Sequence, residues 1–367
     1  MTVPKALRRI IRPSVLELQG YSPSEPVEAL AAELGCDVND IVKLDTNENP
    51  YGTSLRVQES LASFDRYHRY PDPDQRVARE RVASYCGAPV ERILLTNGAD
   101  ELIDLLLLAT IDPGDEVIVP VPTFGVYAGR PPLFGGVVRE VQRRPDFDLD
   151  IEAIEAAVTE RTKVIFVASP NNPTGNLATS QQVVRLLRTG ALVVVDEAYY
   201  EFAGKTFIPL TREFDNLVIA RTFSKWAGLA GLRVGYGVFP AALAAELWKV
   251  KQPFNVSVAG LRAVEAVLDD ADELLEAVKR IRVERGRLFR ALRKLNFLEA
   301  YPSQGNYILC RVTRGDAHAI QRRLRRQGIL IRAYGSPDLR DFLRISVGRP
   351  EDTDRLMAAL LAMVEEV

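Results

Sequence analysis

The sequence predicts an α/β protein, with a large domain on a mainly parallel central sheet flanked by helices and a smaller α+β domain. Three observations carry this. First, short apolar runs recur at 93–96, 116–119, 164–168, 191–195 and 217–220. They are continuous rather than alternating, which is the pattern of strands buried on both faces of a parallel sheet. Second, helical patterns separate these runs, as crossover connections between parallel strands require. Third, beyond Ala241 the pattern becomes mostly helical, with a charged amphipathic stretch at 272–295 and three further apolar runs at 307–312, 329–333 and 343–347 before a final helix. At 367 residues the chain can bury two cores. The expected division is 1–45 as an N-terminal arm with part of the small domain, 46–270 as the large domain, and 271–367 as the small C-terminal domain.

Composition narrows the function classes. Hydrophobic residues are 47% and charged residues 26%, ordinary for a globular chain. A net charge of −2 gives no reason to expect nucleic acid or an anionic membrane as partner. The cluster Arg322, Arg323, Arg325 and Arg326 has no aromatic platform beside it and reads as a solvated helix face. Cys36, Cys86 and Cys310 are far apart and form no C-x-x-C pair, so they read as reduced thiols of a reducing compartment. With only His68 and His318, a His-rich zinc site is excluded and no metal is expected. The basic N-terminus lacks an apolar signal segment, and the run 102–111 is too short to span a bilayer and contains Asp104. It reads as a buried helix, and the chain as cytoplasmic.

In parallel sheets, ligands bind where the strands' carboxyl ends open a crevice. The residues after each run therefore matter most. Run 93–96 leads into Asn97-Gly98-Ala99-Asp100-Glu101 and an apolar helix. Such a turn exposes free N–H groups and a positive dipole end to a phosphate, unless Asn97 or Asp100 caps them. Run 116–119 leads into a proline-braced loop bearing Phe124, whose ring either stacks on a planar cofactor or plugs the core. Run 164–168 leads into Ser169-Pro170-Asn171-Asn172-Pro173-Thr174-Gly175, either a plain turn or one that presents Asn172 rigidly. Run 191–195 leads into Asp196-Glu197-Ala198-Tyr199. An acid emerging from an apolar strand is costly unless it meets a cation, and a protonated pyridine nitrogen is one such cation. Run 217–220 leads into Arg221-Thr222-Phe223-Ser224-Lys225, with Arg233 eight residues further on. A lysine with two hydroxyls and an arginine nearby suits an imine-forming amine beside a phosphate clamp. Any single lysine reads as a surface charge; five signals at successive strand ends read as a site.

The ordered set Asn171-Asn172-Pro173-Thr174-Gly175, Asp196-Glu197-Ala198-Tyr199 and Ser224-Lys225 with Arg233 resembles the fold-type I pyridoxal-5′-phosphate (PLP) aminotransferases, and among them the histidinol-phosphate aminotransferases. LDTNENP at 44–50, RYPDP at 69–73, NGADE at 97–101 and LRISVG at 343–348 extend the resemblance over nearly the whole chain. It implies Lys225 as the amine that holds PLP and shuttles a proton, Asp196 on the pyridinium nitrogen, and Tyr199 with Asn172 on the phenolic oxygen. It also implies Phe124 stacked on the ring, and Ala99, Asp100, Thr222, Ser224 and Arg233 on the phosphate. Tyr70 would reach the phosphate of the neighbouring subunit, which implies a homodimer. Arg344, with Arg332, Tyr21 and Asn306, would line the substrate pocket. The family often carries tyrosine where Phe124 stands; stacking survives that change, whereas a hydroxyl contact does not.

Two arginines suit a phosphate dianion better than a single carboxylate. The implied reaction is transamination of L-histidinol phosphate with 2-oxoglutarate, giving imidazole acetol phosphate and glutamate in histidine biosynthesis. An aromatic amino-acid aminotransferase and a phospho-amino-acid decarboxylase on the same framework stay open. A catalytically silent scaffold fits poorly with Lys225, Asp196 and Tyr199 together. Gly204-Lys205-Thr206 and Gly235-Tyr236-Gly237 imitate phosphate-loop and dinucleotide motifs, but Tyr199 and Pro240 stand where those motifs need glycine.

Overall fold

The structure is a computed structural model that describes residues 3–18 and 24–363. Its strands, in chain order, begin with β1 (Val42–Leu44), β2 (Ile93–Thr96), β3 (Glu116–Val121) and β4 (Val137–Gln142). They continue with β5 (Thr162–Ala168), β6 (Leu192–Asp196), β7 (Leu217–Thr222) and β8 (Gly235–Val238). The last are β9 (Leu298–Ala300), β10 (Tyr307–Val312), β11 (Ile329–Ala333) and β12 (Phe342–Ser346).

The large sheet has the order β2-β8-β7-β6-β5-β3-β4. Strands β3 to β7 pair in parallel. Strand β8 is antiparallel to both β2 and β7, so β2 points the same way as the parallel set. The carboxyl ends of β2, β3, β5, β6 and β7 therefore share one edge with the start of β8. Along each strand the side chains alternate between two apolar clusters. Ile165, Val167, Val193 and Val195 face one, which continues into the small sheet through Ile308 and Ile345. Val164, Phe166, Val194 and Val218 face the other, closed by Leu102 and Leu106 of the helix Gly98–Thr110. Burial on both faces explains the unbroken apolar runs.

Two strands of this sheet carry no such run. Strand β4 is a mostly exposed edge whose Arg139 pairs with Glu116 at 2.6 Å, the charged pattern that discourages edge pairing. Strand β8 is the Gly-Tyr-Gly segment that imitates a dinucleotide motif.

The small sheet has the order β1-β11-β12-β10-β9. Strand β1 comes from early in the chain yet pairs in parallel with β11. That pairing draws the following segment, Asp45 to Pro50, into the seam between the sheets. The helix Ala271–Leu292 matches the amphipathic stretch, burying Leu274, Val278, Ile281 and Leu288. Arg325 departs from the solvated-face reading: it binds Glu25 at 2.7 Å and Glu33 at 2.5 Å, tying the helix Val27–Leu34 to the small sheet's flank. Nearer the N-terminus, Arg12 donates instead to the Leu133 carbonyl beside the large sheet. Among the described residues no helix is long and apolar enough to cross a membrane.

Candidate active site

The shared strand edge collects most of the residues singled out from sequence. After β2, the helix Gly98–Thr110 opens with the N–H groups of Ala99 and Asp100 in its first turn, where no intrahelical acceptor exists. Asn97 makes no side-chain cap; its own N–H donates to the Glu101 carboxylate. Gly98 has φ 77°, and a Cβ there would lie 2.5 Å from Arg233 Nη2. At Gly235 a Cβ would lie 2.8 Å from the Ala99 nitrogen. Bare backbone thus lines a cradle that Arg233 closes, and Arg233 itself pairs with Asp100 at 3.0 Å. Beside it, Thr222 Oγ1 donates to Ser224 Oγ at 2.9 Å, both residues being buried. These groups are the donor set an anion such as phosphate requires.

Lys225 follows β7 and is partly buried. Its Nζ donates to the Thr46 carbonyl at 3.0 Å rather than to a carboxylate. Burial first, then the nearby Arg344 and more weakly Arg233 and Lys43, push its pKa down to about 8 against the opposing pull of Glu48. This is the environment in which a lysine acts as a nucleophile and proton carrier near neutrality.

Asp196 ends β6 and is buried. Tyr127 Oη donates to Asp196 Oδ2, and the Ala198 N–H donates to Oδ1 at 2.8 Å. Burial outweighs both bonds and raises the carboxyl pKa, so an ionised Asp196 gains from a cationic partner. Tyr199 is buried, and burial pushes its phenol up to about 12. Its oxygen accepts from Asn47 Nδ2 at 3.0 Å, and its ring meets Tyr307 edge-on at 5.0 Å. Asn172 accepts from Arg344 Nη1 at 2.7 Å. The neighbouring Asn171 serves the turn itself: it bonds Thr174 Oγ1 at 2.7 Å and Pro122 O at 3.1 Å, and accepts from Thr123 Oγ1 at 2.7 Å. Phe124, half-buried, packs edge-on against Tyr127 at 5.6 Å.

Arg344 on β12 also donates to the Asp45 carbonyl at 2.5 Å, and it lies directly opposite Arg332 in the β11–β12 ladder. Asn306 sits apart from the cleft surface: it is fully buried and donates to the Asn47 carbonyl at 3.0 Å. Tyr70 is 81% exposed and stacks on Phe254 at 4.4 Å. Tyr21 lies outside the described residues.

Sequence reading misses Tyr127 and Asn47 as partners of the site. Tyr127 stands three residues after Phe124, but its contact with Asp196 joins positions 69 apart. Asn47 sits inside the LDTNENP segment with no local feature to show that it meets Tyr199. A buried ion pair also goes unanticipated: Arg221 binds Glu197 at 2.8 Å behind the site, with both side chains almost fully enclosed.

The chain matches the family model for aminotransferase class I and II over residues 39–360. A relative named histidinol-phosphate aminotransferase, from Dehalococcoides mccartyi, is 45% identical over 359 residues, covering 98% of this chain and 99% of the relative. Another of that name, from Roseiflexus castenholzii, is 45% identical over 367 residues, with coverage of 98% and 99%. Among solved structures, histidinol-phosphate aminotransferase from Sinorhizobium meliloti in complex with pyridoxal-5′-phosphate is similar with a TM-score of 0.87 at 28% identity, covering 97% of this chain and 98% of that one.

Proposed function

The chain belongs to the class I and II aminotransferase family, and from that premise we propose that it transfers the amino group of L-histidinol phosphate to 2-oxoglutarate with PLP as cofactor. The residues fit that cofactor. A backbone cradle that a Cβ at Gly98 or Gly235 would fill opens beside hydroxyl and guanidinium donors, and burial makes the Asp196 carboxylate favour a cation. When bound, PLP supplies an aldehyde for the substrate amine and an electron-withdrawing ring that stabilises negative charge at the substrate's Cα.

The N–H groups of Ala99 and Asp100, the hydroxyls of Thr222 and Ser224, and Arg233 hold the phosphate. Asp196, held in place by Tyr127 and the Ala198 N–H, keeps the ring nitrogen protonated. Tyr199 and Asn172 bond the phenolic oxygen, and Phe124 covers the ring face. Lys225 Nζ holds the cofactor and then moves the proton at the substrate's Cα, a role its lowered pKa supports. Arg344 and Arg332, side by side on adjacent strands, bind the substrate's anionic group, with Asn306 acting at one remove through Asn47; a substrate contact from Tyr21 rests on the family resemblance alone. Tyr70 completes the phosphate site of a neighbouring subunit in a homodimer. The reading places the chain in the cytoplasm, in keeping with its free thiols at Cys36, Cys86 and Cys310.

The observation that carries the reading is Lys225: a partly buried amine bonded to a carbonyl, among cations, on the sheet edge that also holds Asp196. The test is turnover by the PLP-loaded protein. Glutamate should form from L-histidinol phosphate and 2-oxoglutarate. Faster turnover of phenylalanine would make the chain an aromatic aminotransferase, and carbon dioxide release without an acceptor would make it a decarboxylase.

A further inference from the structure

Three consecutive residues in the seam between the sheets each grip a different part of the site. The Asp45 carbonyl accepts from Arg344, the Thr46 carbonyl accepts from Lys225 Nζ, and the Asn47 side chain donates to Tyr199. Asn47 is the least expected of the three. It is almost fully buried and has φ 55°, a left-handed conformation that asparagine tolerates better than most residues. Its amide is costly to bury unless both ends are satisfied.

Among these groups, every polar hydrogen finds an acceptor only with the amide oxygen turned toward Ser346. The Asn47 backbone N–H donates to Ser346 Oγ at 2.9 Å, and a backbone N–H can only donate. The single Ser346 hydroxyl proton goes to Asn47 Oδ1 at 2.8 Å. The amide oxygen is thereby taken, and its NH₂ end faces Tyr199 Oη at 3.0 Å. An NH₂ group also can only donate, so Tyr199 Oη is the acceptor in that bond. The phenol's own proton is left for the cleft. Asn306 Nδ2 pins the Asn47 carbonyl at 3.0 Å and keeps the loop from turning.

We propose that Asn47 is a positioning residue: through a one-way hydrogen-bond chain that starts at its own backbone N–H, it makes the Tyr199 hydroxyl a donor aimed at the cofactor. This rests on the reading of the site as a PLP aminotransferase centre. Ser346 ends β12 and Asn306 immediately precedes β10 of the small sheet, whereas Tyr199 follows β6 of the large one, so the chain also crosses the seam. The charged and titratable groups around Tyr199 include Arg344, Asp196, Tyr127, Tyr307 and Tyr334. Arg344 favours the ionised phenol, whereas Asp196 opposes it.

A donor on the cofactor's phenolic oxygen stabilises negative charge there. Losing it lets the visible chromophore of the loaded protein keep its proton to higher pH. The experiment is a spectroscopic pH titration of that chromophore in wild type, Asn47→Gly, Asn47→Asp, Ser346→Ala, Tyr199→Phe and the double variant Asn47→Asp with Tyr199→Phe. Asn47→Gly keeps the backbone conformation and removes the amide. Asn47→Asp replaces the donor by an acceptor that draws the Tyr199 proton away. Each single change at Asn47 should raise the midpoint by about one pH unit, the worth of a single hydrogen bond. Ser346→Ala, which unlocks the amide and takes the acceptor from the Asn47 N–H but leaves the amide in place, should raise it by roughly half as much. The double variant should match Tyr199→Phe alone, because a plain charge effect of the new carboxylate would persist without the hydroxyl.

An unmoved midpoint in Asn47→Gly and Ser346→Ala, while Tyr199→Phe moves it, overturns the proposal and leaves the cofactor reading intact. An additive double variant does the same. Absence of any visible band in the loaded wild type removes the cofactor reading, and the proposal with it. Should the Asn47 variants fail to fold, Ser346→Ala decides alone.

Discussion

Lys225 holds its Nζ 3.0 Å from the Thr46 carbonyl, among Arg344, Arg233 and Lys43. Its pKa falls from the ordinary 10.5 to about 8. Between those two values an unfolded chain binds a proton that the folded chain has released, so this group adds stability as pH rises through the window and withholds it below pH 8. The same shift supplies neutral amine early. The rate at which the cofactor-free protein captures PLP should rise through about pH 8 and then level off, measured by stopped-flow absorbance. A rate still climbing toward pH 10 would show that burial does not set the amine's reactivity. At this scale the reactive types were legible: a lysine and an acid after apolar runs have few bland explanations when they recur in order. Their partners were not, because Tyr127 reaches Asp196 across 69 positions and Asn47 reaches Tyr199 across 152.

The helix Gly98–Thr110 and strand β8 meet where neither tolerates a side chain, and that meeting makes the anion cradle. Gly98→Ala would force a Cβ against Arg233 and strain a left-handed backbone. We expect PLP affinity to fall about tenfold, roughly 1.4 kcal/mol, by fluorescence titration. Gly190→Ala is the matched control: its φ is 85°, but no atom lies within 4 Å of the added Cβ. It should lower the melting temperature comparably and leave PLP affinity unchanged. If both variants lose affinity equally, backbone strain rather than the cradle is responsible. Strand β8 shows why element type and motif are easily confused. A Gly-Tyr-Gly segment looks like a nucleotide loop until its pairing with β2 and β7 is known. Strand β4 escapes detection for the opposite reason, since an edge strand keeps its charges.

At the scale of the whole molecule, the small sheet delivers Arg332 and Arg344 to an edge that the large sheet furnishes with Lys225 and Asp196. Tyr70 stands outside this arrangement at 81% exposure. Mixing subunits tests whether it serves a partner. On the proposed homodimer, Lys225→Ala and Tyr70→Ala should each severely impair turnover when present in every subunit. A heterodimer of the two should regain one site, with Lys225 from one chain and Tyr70 from the other. Transaminase activity that stays flat on mixing and subunit exchange would place Tyr70 in a purely local role, packed on Phe254 at 4.4 Å.

The α/β class and the helices that cover the sheet follow from hydrophobic period alone, because burial on both faces leaves an unbroken apolar signature in the chain. The identities of Lys225, Asp196 and Asn172 likewise stand out, since strand ends are where a parallel sheet exposes chemistry. Tertiary structure alone decided that β1 joins the C-terminal sheet, that residues 45–47 are therefore carried into the seam, and that Arg325 turns from a surface charge into a clamp on Glu25 and Glu33. Each of these depends on pairing between distant segments, and local residue preferences carry no record of which distant surface a side chain will meet.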